Sequence, residues 1–335
     1  MLDKSCVKFT LRDLKRAIAR MKPRGAPGPD DLPPSFFKAL GPLALEKLLQ
    51  IFNRSFESGY CPQSWRNAII IPLLKAGKSP SALESFRPVS LTSCAVKILE
   101  RMIGERLNRL AEDNGWFSKL QAGFRHGRSC EDQITRIVQA IEDGFQKKEM
   151  NRSILVLLDF SKAYDMVWRE KLITVMAEKG VPLQLLRWLN GFLQNRQAKV
   201  RFCNVLSKSR KMEQGLPQGS VLSPILFLFY INELAELLPE TVISSMFADD
   251  VSILGTNRVG SVAEKEVQEA VDVVVGWSKK WKLSLNAGKS ECCYFTNWKQ
   301  EEWMPAVKID GQVIPYKEHP RLLGVLLDRY LSFVP

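Results

Sequence analysis

Apolar residues recur along this chain with two periods, and the alternation between them outlines its elements. Leu11, Leu14, Ile18 and Met21 fall on one side of a helix-period segment over residues 4–22. The run Gly25-Ala26-Pro27-Gly28-Pro29-Asp30 breaks it. Residues 34–56 read as mostly helical. Ala68-Ile69-Ile70-Ile71-Pro72-Leu73-Leu74 reads as a strand entering a basic turn, Lys75-Ala76-Gly77-Lys78-Ser79-Pro80, and residues 86–91 form a second short strand. Helical spacing returns over 94–113 and 131–147. The uninterrupted run Ile154-Leu155-Val156-Leu157-Leu158 predicts a strand buried on both faces. Helices are expected near 164–179 and 182–194, and a hairpin over 198–213. The loop Gln214-Gly215-Leu216-Pro217-Gln218-Gly219-Ser220 then opens a long apolar helix to about Leu238. Residues 242–246 and 251–255 form another hairpin. A helix over 260–281 and short strands near 291–296, 306–309 and 322–327 complete the pattern. Distant strands are brought together, which predicts an α+β fold with a mixed sheet backed by helices.

The hairpin at 242–255 carries the densest chemistry. Its turn, Phe247-Ala248-Asp249-Asp250, sets two carboxylates side by side between apolar strands. Adjacent carboxylates repel, and a cation is the natural reason to hold them there. An Asp-Asp pair also suits a plain solvated turn. A third carboxylate, Asp159, ends the buried run 154–158, where an ionised group is costly unless paired or metal-bound. Asp159 reads equally as the cap of a helix starting near Ser161. Together the three point to an oxygen-ligand site for two Mg2+ ions, which serve in-line phosphoryl transfer.

Composition narrows the setting. A chain of 335 residues, 45% of them hydrophobic, suits two or three compact lobes. The longest apolar run, 221–230, falls short of the roughly 18 residues a membrane span needs, so no span is expected. Met1 is followed by no basic segment and apolar signal core, so the expected location is intracellular, in nucleus or cytoplasm. Seven cysteines, an odd number without a C-x-x-C, and only two histidines, His126 and His319, argue against a zinc knuckle or a disulfide framework. The net charge of +12 is concentrated: residues 1–24 carry eight Lys/Arg against two Asp, and 196–211 carry six Lys/Arg and no acid. Either window alone suits a solvated face.

The ordered motifs resemble the reverse transcriptase domain of a non-LTR (LINE-type) retrotransposon over nearly the whole chain. Lys22-Pro23-Arg24-Gly25-Ala26-Pro27-Gly28-Pro29-Asp30 resembles that family's N-terminal extension motif. Ile71-Pro72-Leu73-Leu74-Lys75 and Phe86-Arg87-Pro88-Val89-Ser90-Leu91 resemble its two fingers motifs, and Gln121-Ala122-Gly123-Phe124-Arg125 with Gly127-Arg128-Ser129 the next. Asp159 to Asp165, Gly215 to Ser220 and Phe247 to Asp250 resemble the first three palm motifs. Leu285-Asn286-Ala287-Gly288-Lys289-Ser290-Glu291 and Leu322-Leu323-Gly324-Val325 resemble the fourth and fifth.

The resemblance implies a right-hand polymerase: an N-terminal extension over 1–65, fingers over 66–150, and a palm over 151–335. The palm would have an RRM-like antiparallel sheet, a fingers-like interruption near 180–212 and a primer grip near 321–328. Because the chain stops soon after the primer grip, the thumb is expected to be largely absent. The implied activity is RNA-directed DNA synthesis on a primer 3′-OH, with two Mg2+ ions (Mn2+ as substitute), dNTPs, an RNA template and a DNA primer or nicked target DNA. Asp159 and Asp249 would be the principal metal ligands, Asp250 a supporting one, with the Phe160 carbonyl adding an oxygen. Tyr164 would be an aromatic gate against the ribose 2′-OH, or else a core aromatic of the following helix. Lys75 and Arg87 would bind the triphosphate; Lys75 also suits an exposed turn, and Arg87, on a partly buried strand, should have an anionic partner. Gln218 would touch the nucleotide near its sugar, and Gly215 and Gly219 would let backbone approach nucleotide and template. Lys289 would be the general acid, or a surface lysine. Leu323 and Gly324 would form the primer grip, although Leu323 also suits a core. In such a polymerase the two basic windows would track a phosphate backbone. A remnant that only binds RNA is the alternative; RNA synthesis is disfavoured by Tyr164.

Overall fold

Caps and helix breakers set most element boundaries. In the computed structural model, which describes residues 8–147, 151–298 and 303–332, helix α1 (Leu11–Ala19) starts at a capping box of Thr10 and Asp13. It is therefore shorter than the periodicity of 4–22 suggests; residues 4–7 lie outside the described residues. The segment 34–56 splits into α2 (Pro34–Lys38) and α3 (Pro42–Ser58), because Pro42 opens a helix but cannot continue one. Helix α4 (Gln63–Arg66) runs into β1 (Asn67–Leu74), followed by β2 (Phe86–Leu91), α5 (Cys94–Asp113) and α6 (Cys130–Phe145). Then come β3 (Arg152–Leu158), α7 (Ala163–Met166), α8 (Arg169–Glu178) and α9 (Leu183–Leu193). The basic segment forms β4 (Arg196–Phe202), β5 (Val205–Leu206) and β6 (Arg210–Met212), and the apolar helix is α10 (Ser223–Leu237). Strands β7 (Ile243–Phe247) and β8 (Asp250–Asn257), helix α11 (Gly260–Lys280) and β9 (Glu291–Phe295) follow. Two small hairpins end the described chain: β10 (Lys308–Ile309) with β11 (Gln312–Val313), and β12 (Arg321–Leu322) with β13 (Val325–Leu326).

The mixed sheet that the pattern predicts stands in one of two compact units, and a second, antiparallel sheet stands in the other. One unit comprises the residues up to Trp116 with Tyr164–Phe229, the other Phe117–Ala163 with the residues from Tyr230 on. In the first unit β1 pairs antiparallel with β2 and parallel with β4, and β4 also pairs with β5 and β6. Pro72 faces Pro88, beyond the last β1–β4 pair at Ile70 and Val200, so its missing N–H removes no bond to β4. Helices α1, α3, α5 and α9 pack together in this unit and bury Leu14, Phe52, Phe56, Trp188 and Phe192.

The second unit is built on an all-antiparallel sheet of order β7-β8-β3-β9. Its central strand β3 is buried on both faces, as its apolar run requires: Ile154, Leu155 and Val156 are fully inaccessible. One face packs on α11, which approaches β8 closely because residue 255 is glycine. A Cβ there would lie 2.6 Å from Val267 Cγ2. On the other face Leu155, Leu254, Cys293 and Phe295 meet Ile137 and Ile141 of α6, with Leu322, Leu327 and Leu331. Among the described residues no helix is long and apolar enough to cross a membrane.

Candidate active site

Sheet register assembles the three carboxylates at one end of the second unit's sheet. The β3–β8 ladder runs out to Leu158 opposite Val251, and one further step sets Asp159 beside Asp250. Phe247 pairs with Asp250 across the β7–β8 turn, leaving Ala248 and Asp249 as its two turn residues. Ala248 holds φ +58, a left-handed conformation that favours glycine. The Asp250 carboxyl is pushed up to about 6, first by loss of water around it and then by Asp249 and Asp159. Two carboxylates that raise the proton affinity of a third form with it a donor set that fits a divalent cation. Among the described residues no three Asp, Glu, His or Cys side chains converge closely enough to enclose a metal by themselves. A complete shell would therefore draw on backbone, water and phosphate oxygens, as Mg2+ commonly does.

Backbone stitching fixes Asp159. Its N–H donates to Ser290 Oγ at 3.1 Å, and its C=O accepts from the Asn286 N–H at 2.8 Å. The Ser161 N–H donates to the Ser284 carbonyl at 2.8 Å, so Phe160 and Leu285 form a non-hydrogen-bonded antiparallel pair. That geometry turns the Phe160 carbonyl away from Leu285, while its side chain is buried. Lys289 lies in the same 286–290 turn, with its N–H on the Asn286 carbonyl at 3.1 Å and its side chain exposed.

Leu323 and Gly324 are the two turn residues of the β12–β13 hairpin, with φ +46 and +94, the pattern of a two-residue hairpin turn. Leu323 packs partly against the core and Gly324 is exposed. Both line a cavity of about 350 Å³ together with Asp250, Phe247, Leu158 and Arg321.

The remaining sequence-derived candidates belong to the first unit. Tyr164 is half-buried, and its ring stacks on Phe227 with centroids 4.6 Å apart and planes 16° apart. Gln218 Nε2 donates to Asp165 Oδ1 at 3.0 Å, and its carbonyl accepts from the Ser90 N–H at 2.7 Å. The loop glycines have a structural reason of their own. A Cβ on Gly219 would lie 2.9 Å from the Ser90 carbonyl, and one on Gly215 would lie 2.5 Å from the Asp165 carbonyl. Lys75 is exposed, and its ammonium donates to the Glu84 carbonyl at 2.9 Å. Arg87 departs from expectation. It is exposed on the edge strand β2, and among the described residues it has no ion-pair partner. An edge strand with one open flank leaves a long side chain in water.

The two basic windows differ. Arg16 and Arg20 both reach Glu105 at 2.5 Å, and Lys8 reaches Glu57 at 2.8 Å, so part of the first window is internally neutralised. Lys199, Arg201, Lys208, Arg210 and Lys211 are exposed.

Sequence reasoning missed the side chains that hold these loops. Glu100 is fully buried in α5 and accepts from the Ser220 hydroxyl, from the Val221 N–H at 2.7 Å and from the Leu222 N–H at 3.2 Å. Burial pushes its carboxyl up, while these donors and Arg196 oppose the shift. A charged residue at 100 on the apolar stripe of Val96, Ile103 and Leu107 was the available signal. Arg169 donates to the carbonyls of Gly215 at 2.8 Å and of Met212 and Gln214 at 2.7 Å each. Gln121, buried beside the acidic turn, and Ser290, buried against Asp159, carried no comparable signal.

Residues 74–327 match the family model described as reverse transcriptase (RNA-dependent DNA polymerase). The chain is 33% identical over 330 residues to the RNA-directed DNA polymerase from mobile element jockey of Drosophila funebris, covering 97% of this chain and 36% of that protein. It is 32% identical to the jockey polymerase of Drosophila melanogaster, again over 97% of this chain and 36% of the relative. Against the probable RNA-directed DNA polymerase from transposon X-element of Drosophila melanogaster it is 30% identical, covering 99% and 36%. The chain thus spans about a third of the length of the curated relatives it matches.

Proposed function

The chain belongs to the reverse transcriptase (RNA-dependent DNA polymerase) family, and from that premise we propose that it copies RNA into DNA as part of a non-LTR retrotransposon. The observation that carries this reading is the register of the antiparallel sheet, which sets Asp159 beside the Asp249-Asp250 turn from a position ninety residues away. Asp159, Asp249 and Asp250, with the Phe160 carbonyl, would hold the divalent cations, Mg2+ being the ion such hard oxygen donors favour. When bound, those ions supply charge stabilisation at the attacking and leaving oxygens of an in-line displacement. The protein's own part is to hold carboxylates at fixed spacing, to bind the triphosphate through Lys75 and Arg87, and to orient the sugar through Gln218 and Tyr164. Stacking on Phe227 braces the Tyr164 ring as a rigid wall, which supports a gate against the 2′-OH. Lys289 is assigned the proton that the leaving pyrophosphate takes up. Leu323 and Gly324, beside Asp250 in one cavity, are assigned to the primer grip. The β7-β8-β3-β9 sheet supports a palm within 151–335, with an N-terminal extension over 1–65 and fingers over 66–150.

Primer extension on an RNA template with dNTPs and Mg2+ tests the reading, with this chain and with one lengthened toward its relatives' size. Expected is dNTP incorporation that Asp249→Asn lowers by more than the ~10–100-fold typical of losing a mere supporting partner of a metal site. In the same assay Tyr164→Ala should raise rNTP incorporation. No incorporation by either chain, or full activity after Asp249→Asn, overturns the proposal.

A further inference from the structure

The acidic turn does not hold its own shape. Ala248 sits at φ +58 without glycine's freedom, and a strained turn beside mutually repelling carboxylates needs an external constraint. That constraint is one buried side chain, Gln121, only 1% exposed. Its Oε1 accepts from the Ala248 N–H at 2.8 Å and from the Gly123 N–H at 2.9 Å, and its Nε2 donates to the Ala248 carbonyl at 3.3 Å. The amide therefore grips both backbone polar groups of the left-handed residue. Its orientation follows from the partners: flipped, the NH2 would face two N–H donors.

The segment bearing Gln121 is itself fixed. The Ala122 N–H donates to the Met246 carbonyl at 2.9 Å and the Met246 N–H to the Leu120 carbonyl at 3.1 Å, a short parallel bridge on the edge of β7. Arg125 Nη1 donates to the carbonyls of Ser118 at 2.6 Å and Gln121 at 3.0 Å. Residue 123 must be small, because a Cβ there would lie 2.4 Å from the Ala248 nitrogen.

We propose that Gln121 is a positioning residue that sets the Ala248-Asp249 turn, and with it the spacing of Asp249 and Asp250 toward Asp159, and that Gly123 is glycine so that the turn can rest against it. This rests on the polymerase reading for its consequence but not for its geometry. A neutral amide suits the place, since it supplies two acceptances and a donation without adding charge to three carboxylates.

The test uses the full chain, Mn2+ binding measured by electron paramagnetic resonance, and hydrogen exchange at the Ala248 amide. Gln121→Met keeps the side chain's length and removes its hydrogen bonds, while Gly123→Ala pushes the turn from the other side. Both should weaken Mn2+ binding by about tenfold or more. Gln121→Met should also speed exchange at Ala248 while leaving the β3–β8 amides protected. Adding Ala248→Gly to Gln121→Met lowers the intrinsic cost of the left-handed turn and should restore part of the Mn2+ affinity. Unchanged Mn2+ binding in both single variants overturns the proposal. So does a loss that Ala248→Gly leaves untouched, or a double variant that unfolds, since either makes Gln121 a core residue instead. Mn2+ binding by the wild-type chain, with no primer extension by it or by the lengthened chain, refutes the polymerase reading while leaving the clamp intact.

Discussion

Two loops, one in each unit, each carry a segment gripped by a buried polar side chain, and the two side chains differ in charge. The Gly215–Ser220 loop is gripped by Glu100, a carboxylate that accepts from the Ser220 hydroxyl and from the N–H groups of Val221 and Leu222 just before α10. The 247–250 turn is gripped by Gln121, a neutral amide. Negative charge is favourable where N–H groups gather at the start of a helix. The same charge beside Asp159, Asp249 and Asp250 would add to a repulsion that, after loss of water, already helps lift Asp250 to about 6. The same task, fixing a backbone, thus takes the acid in one place and its amide in the other.

The largest effect expected from breaking this comparison is at Glu100. Its Oε1 and Arg196 Nη2 are both buried without a hydrogen-bond partner among the described residues, and the two groups act on each other through charge. Glu100→Ala removes three acceptances and leaves Arg196 as an uncompensated buried cation, which should destabilise the chain by about 3–5 kcal/mol. Urea denaturation at neutral pH measures it. A loss below about 1 kcal/mol would place Glu100 among ordinary surface acids.

Much of this site was legible in the sequence because it lies in local pattern. The apolar run into Asp159 and the hairpin around Asp249 and Asp250 announce themselves by residue type and spacing. The parallel pairing of β1 with β4 joins Ile69 to Lys199 and has no local signature, so the pattern predicts a mixed sheet without saying which strands share it. Gln121 was illegible for the same reason: its partner Ala248 is 127 residues away, and a glutamine in a loop looks solvated until that partner arrives. Arg87 was misjudged because burial on an edge strand depends on what covers the edge, which its own sequence does not state.

Ser290 extends the series from carboxylate and amide to hydroxyl, with a smaller expected effect. Its Oγ accepts from the Asp159 N–H at 3.1 Å and donates to the Asn286 carbonyl at 2.9 Å. Ser290→Ala should cost about 1 kcal/mol, one neutral hydrogen bond's worth. Because it touches Asp159 rather than the turn, it should leave Ala248 exchange unchanged. Acceleration at Ala248 in this variant would show the two supports to be one coupled unit.

The smallest effect is a pH dependence of the metal-free chain, small because Asp250 reaches water and solvent screens its repulsion. Its folded carboxyl titrates near about 6 against an ordinary 3.8. Between these values the native chain keeps a proton that the unfolded chain has released, so stability falls as pH rises. The contribution is complete below the unfolded value and gone above the folded one. Cation binding runs the other way, since it needs the carboxylate, and should strengthen over the same window. Urea midpoints from about pH 4 to 7 should therefore fall more steeply for the native sequence than for Asp250→Asn. Gln121→Glu, which places a fourth acid beside the turn, should steepen the fall further. Parallel curves for all three chains would show that charge crowding does not decide why this turn is held by an amide.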